Sequence, residues 1–103
     1  MKIFDQAEQL LNEIDDRQEH CDYENVLPLI RKFRVFMKDC HVEFFDIYFT
    51  GNLGAVEGFV KDLLAPPDEK LWSSYYAGNY LRDHLFRTRY GLALMKQNMP
   101  ATA

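Results

Sequence analysis

The apolar positions along the chain recur at helical spacing almost from the first residue, and no stretch alternates as a strand would. Ile3, Ala7, Leu10 and Ile14 keep one face of a first helix apolar, Phe4 and Leu11 widen the stripe, and acids occupy the other side. This predicts a helix over about residues 2–20, ending near His20-Cys21. Asp22 or Asn25 can cap a second helix, in which Pro28 is tolerated only because it falls in the first turn. Its stripe is Val26, Leu29, Ile30, Phe33, Phe36, Met37 and Cys40. From His41 to Leu64 the pattern continues through Phe45, Tyr48, Phe49, Val56, Phe59, Val60 and Leu63, with Gly51-Asn52 as a place where the segment either bends or divides in two.

Ala65-Pro66-Pro67 is the firm break. A last helix is expected to open at Pro67 or Asp68, with Glu69 near its positive end, and to stop around Gly91. Asn98 to Ala103 reads as a loose tail. The expected fold is therefore all-α: one domain over residues 1–103, a small antiparallel bundle of four to five helices joined by short connections.

Two features of the second half go beyond ordinary bundle patterning. Gly51, Gly54, Ala55 and Gly58 follow i, i+3, i+4, i+7 spacing and fall on one helix face. A glycine inside a helix costs about 0.8–1 kcal/mol relative to alanine, so this small face is expected to be buried against a closely approaching neighbour. In the last helix, Leu71, Tyr75, Gly78, Leu81, Leu85 and Leu92 form a core stripe. Beside it Trp72, Tyr76, Tyr80, Phe86 and Tyr90 form a second one. Together they are wider than one face of a small bundle buries, so the helix is either central or carries a contact surface. Trp and Tyr are the residue types most enriched at binding hot spots.

Charge sharpens this picture. The chain of 103 residues carries a formal net charge of −4, but the charge is uneven. Residues 1–24 hold eight acids against Lys2 and Arg17, a net of −6, and the remainder is net +2. The cluster Asp15, Asp16, Glu19, Asp22 and Glu24 disfavours phosphate backbones and steers a basic partner, or else simply solvates a helix face. RDHLFRTRY (82–90) has arginines and rings in a nucleic-acid-like mixture. Asp83 dilutes it, and the arginines are expected to pair with the acidic first helix instead. No nucleic-acid partner is expected. The N-terminus meets acids before a signal-length apolar run forms, and FFDIYF is too short to span a bilayer, so a soluble cytosolic protein without membrane contact is expected.

Catalytic and metal chemistry find little support. His20-Cys21 and Cys40-His41 have the residue types of a zinc site, but they flank the second helix and are separated by roughly 28 Å at 1.5 Å per residue. The same separation argues against a disulfide. GNLGAVEG lacks the Lys-Ser/Thr ending and preceding strand of a phosphate loop. No nucleophile-base spacing stands out, and the carboxylate pair Asp15-Asp16 lies on a polar face. The chain is read as non-enzymatic, with no cofactor and no metal.

The order of elements then carries a resemblance: an acid-rich helix, LPLIRKFRVFM, the small-residue segment GAVEGF, an acidic turn PPDEKL, and SSYYAGNYL with its Tyr-Tyr pair. Over about residues 3–82 this resembles small all-helical bacterial immunity proteins, especially those protecting against NAD-degrading toxins of type VI secretion. Pro66-Pro67 and the basic stretch after Arg82 depart from that pattern. The resemblance implies a non-catalytic protein that binds a cognate toxin in the cytosol and obstructs its active site. Its candidate contacts here are the acidic cluster and the rings of Trp72, Tyr76 and Tyr80. The rival reading is a regulatory adaptor or anti-activator, phage-encoded in one version, that inhibits a host protein. An operator-binding antitoxin acting through residues 82–96 is a third. Whether the free protein is a homodimer stays open at this level.

Overall fold

The computed structural model describes residues 2–40 and 47–98, and within them 3-10 and α-helices are the only regular elements. The helices are α1 (Lys2–Glu19), α2 (Val26–Asp39), α3 (Ile47–Leu64) and α4 (Ser74–Asn98), with a one-turn 3-10 segment, Tyr23–Asn25, leading into α2. The fold is the expected all-α bundle. Each helix packs on its neighbours in the chain, and α1 closes the ring against α4. Lys96 meets Glu8 and Arg89 meets Asp15 across α4 and α1, so these helices run antiparallel, as do α3 and α4. The molecule is elongated, 51 × 21 × 19 Å, consistent with the roughly 38 Å length of a 25-residue helix.

The core forms where the largest apolar side chains of each helix meet. Phe4, Ala7, Leu11 and Ile14 of α1 face Ile30 and Phe33 of α2, Phe49, Leu53, Val56 and Val60 of α3, and Leu81, Leu85 and Leu92 of α4. Phe33 and Phe49 sit 5.5 Å apart at its centre. Each of these side chains larger than Ala7 contributes on the order of 1.5–3 kcal/mol when fully buried. No helix among the described residues is long and apolar enough to cross a membrane.

One alternative left open by the sequence is decided for the described part of α3, and three expectations are then corrected. First, α3 is uninterrupted from Ile47 to Leu64, so Gly51-Asn52 does not divide it; His41 and Phe45 lie outside the described residues. Second, the small-residue face is not buried against a neighbour. A Cβ on Gly51 or Gly58 would meet nothing within 4 Å, and one on Gly54 would reach only the Arg34 guanidinium at 3.7 Å. The larger Phe49, Leu53, Val56 and Val60 bury far more apolar area, so they set the orientation of α3 and turn the glycines outward. The close approach occurs at Gly91 instead, where a Cβ would lie 3.1 Å from the Tyr48 ring and 3.7 Å from the Phe49 Cα. That contact explains the third point: Gly91 does not stop α4 but sits inside it, letting α3 come near, and the helix continues to Asn98.

Fourth, α4 begins at Ser74 rather than at Pro67 or Asp68. Asp62, near the end of α3, captures the backbone N–H groups of Leu71 and Trp72 at 2.7 and 3.2 Å. Lys70 donates to the Leu63 carbonyl at 2.9 Å. Those bonds hold residues 66–72 folded back on α3, and Ser73 then caps the helix by accepting the Tyr76 N–H. Leu71 and Trp72 are therefore in the connection, not in the helix. The tail after Asn98 lies outside the described residues.

Candidate functional site

The connection and the first two turns of α4 expose a concentration of rings. Leu71 is 85% exposed, Tyr75 73%, Tyr76 54%, Trp72 45% and Tyr80 38%. Of the expected core stripe in this region, Leu71 and Tyr75 are thus on the surface, whereas Gly78, Leu81, Leu85 and Leu92 are buried as expected. The buried line of α4 runs instead through Ala77, Leu81, Leu85, Thr88 and Leu92. Trp72, Tyr76, Tyr80, Phe86 and Tyr90 stay outside it, so the second stripe is a surface and α4 is not packed on all sides.

These rings are ordered by contacts with one another rather than scattered. Phe59 of α3 is the hub, with centroids 5.3 Å from Tyr80, 6.3 Å from Trp72 and 5.8 Å from the stacked imidazole of His84. Trp72 meets Tyr80 edge-on at 5.4 Å, Tyr80 lies parallel to Tyr76 at 6.4 Å, and Tyr76 meets Tyr75 edge-on at 5.5 Å. Such pairs contribute about 0.5–1.5 kcal/mol each beyond burial, so the rings are held in place before any partner arrives. His84 is itself fixed by Asn52 Oδ1 at 2.8 Å, and Asn52 donates to the Tyr48 carbonyl at 2.8 Å. Beside the rings, Ala55, Gly58, Phe59, Asp62, Leu71 and Trp72 line an open notch of about 260 Å³. The glycine on α3 leaves this space empty.

The acidic cluster divides in two. Asp15 receives Arg89 at 3.2 Å and Gln18 at 2.9 Å, and Asp22 receives Arg17 at 3.1 Å and the Asn25 amide at 2.8 and 2.9 Å. Both carboxylates are thus engaged within the fold. Asp16, Glu19 and Glu24 remain on the surface. His20 lies 3.6 Å from the Asp16 carboxylate and within 2.8 Å of its carbonyl. The backbone hydrogen bond to Asp16, then the Asp16 charge, hold its pKa above the ordinary imidazole value. The expected pairing of arginines with the first helix holds for Arg89, while Arg87 pairs with Asp83 on its own helix and Arg82 with Asn79.

Both candidate surfaces therefore lie at the same end of the bundle, where α1 ends and α4 begins. They flank α4 on opposite sides: Phe59 of α3 touches Tyr80 and His84, whereas Asp15, Gln18 and Glu19 of α1 line a cleft with Arg82, Phe86 and Arg89. Cys21 is exposed, Cys40 is half-buried, both are free thiols, and α2 stands between them. Burial pushes the Cys40 thiol pKa up.

Sequence reasoning missed Phe59, Leu71 and Asp62 as site residues. Asp62 carried a readable signal, since an acid in the last turn of a helix opposes the dipole unless N–H donors reach it. No protein-family model, no curated protein and no solved structure matches this chain.

Proposed function

We propose that this chain is a non-catalytic inhibitor that holds a bacterial protein toxin by direct binding, as an immunity protein does. The observation that carries the reading is the pre-ordered set of exposed rings, with Trp72 and Tyr80 seated on Phe59 and Tyr76 stacked on Tyr80. The ring faces left open to water add nothing to the monomer's stability, whereas a protein interface draws its slow dissociation from burying such faces. Asp16, Glu19 and Glu24, at the same end of the bundle but across α4 from the rings, favour a basic partner and raise the rate of encounter. The resemblance of the sequence to immunity proteins of type VI secretion toxins supplies the class of partner.

The test is protection. The protein captured by this chain from the cells that encode it is expressed alone in a heterologous bacterium, and then together with the chain. The reading expects growth arrest in the first case and restored growth in the second. Restoration should be lost with Tyr76→Ala and kept with Glu19→Lys at high expression. A captured protein that is harmless when expressed alone would point instead to the regulatory adaptor.

A further inference from the structure

We infer that, before it meets a partner, the chain pairs with a second copy of itself through the ring face, with Tyr76 of each copy entering the notch above Gly58 of the other. This rests on the reading of that face as a contact surface, but not on the identity of any toxin.

Area is the first argument. With about 150–250 Å² for each large ring, the exposed fractions of Trp72, Tyr75, Tyr76 and Tyr80 amount to roughly 400 Å². That is about half of what one partner buries in a standard interface, before Leu71 and the notch floor are included. It is also as large as the largest apolar patch of a typical monomer, on the order of 300–600 Å².

Shape is the second. An interface between identical copies uses the same patch twice, so the patch must contain both a projection and a recess. The recess is the 260 Å³ notch lined by Ala55, Gly58, Phe59, Asp62, Leu71 and Trp72. The projection is Tyr76, on the outer edge of α4 and stacked on Tyr80. Tyr80, which touches both Phe59 of the notch and Tyr76, lies between them, where a two-fold axis would pass. Gly58 then has a reason to be glycine that the monomer does not give, because its missing Cβ touches nothing within the chain.

Sedimentation velocity of the full chain over about 1–200 μM tests this, with far-ultraviolet circular dichroism to establish that each variant remains helical. Two variants probe the two halves of the contact. Gly58→Leu fills the recess at a position with open space around its Cβ, and Tyr76→Ala removes the projection. The wild type should approach twice its 12.2 kDa. Each variant alone should dissociate at least tenfold more readily. An equimolar mixture of the two should regain part of the dimer, because the Tyr76 of one variant still finds the open notch of the other. A wild type that stays at 12.2 kDa throughout would overturn the inference. So would variants that dimerise as the wild type does, or a mixture no better than its components. A monomeric wild type that still captures its partner would sink this inference alone and leave the proposed function standing.

Discussion

Asp62 is a single carboxylate on which the geometry of the ring face depends. It is 9% exposed and accepts two backbone N–H groups, Leu71 at 2.7 Å and Trp72 at 3.2 Å, from the segment that would otherwise start α4. Hydrogen bonds to a charged acceptor contribute about 1.5–3 kcal/mol each. Leu71 and Trp72 are exposed, so their freed N–H groups find water in the Asp62→Ala variant, and the lower end of that range applies. The expected loss is about 2–3 kcal/mol, which in a domain of this size lowers Tm by about 10–15 °C.

Trp72 is the sole tryptophan, so its fluorescence reports the same segment directly. Once released from Asp62 it should leave Phe59 and Tyr80, and acrylamide should quench it more strongly well below the melting transition. Asp62→Asn keeps one acceptor oxygen and should fall between wild type and Asp62→Ala in both readouts. A melt of Asp62→Ala within about 2 °C of wild type, with unchanged quenching, would refute the claim that this carboxylate holds the connection.

Three further outcomes follow from particular contacts. Gly58→Ala should raise stability by about 0.5–1 kcal/mol in a thermal melt, since the new Cβ meets open space and the helix loses a glycine. Gly91→Leu should lower it by about 1–3 kcal/mol in the same assay, because the Tyr48 ring and the Phe49 backbone already press on that position. His20 should titrate by NMR above the ordinary imidazole value of about 6.5, and Asp16→Asn should lower it only part of the way, because the hydrogen bond to the backbone carbonyl of residue 16 remains. The sign follows from the raised pKa: the charged imidazole's contribution is complete below the unfolded value and fades as pH rises through the folded one.

The core was legible in the sequence because branched and aromatic residues dominate burial wherever they recur at helical spacing. Phe4, Ile14, Phe33, Val56 and Leu85 all fall where that rule puts them. The small-residue face misled because spacing alone does not say whether a glycine is small for a neighbour in the monomer or for something outside it. Gly91 looked like a helix stop and is instead a contact, a difference set by Tyr48, 43 positions away in the chain. The start of α4 was misplaced for a similar reason. Local signals favoured Pro67-Asp68, but two hydrogen bonds donated by the connection's backbone to Asp62 on another helix outweigh a cap. The acidic cluster and the rings were both named from sequence; that they flank one helix at one end of the bundle comes from the antiparallel pairing of α1 with α4.

The central claim is that the ring face anchors a protein partner and the acids only steer it. Surface plasmon resonance on the captured partner separates the two roles, with wild type, Tyr76→Ala and the double variant Asp16→Lys, Glu19→Lys compared at two salt concentrations. Tyr76→Ala should dissociate about 30-fold faster or more, corresponding to about 2 kcal/mol. The charge-reversed chain should associate more slowly, with less dependence on salt and nearly unchanged dissociation. Unaltered dissociation from Tyr76→Ala, with dissociation instead accelerated by the charge reversal, would contradict the account.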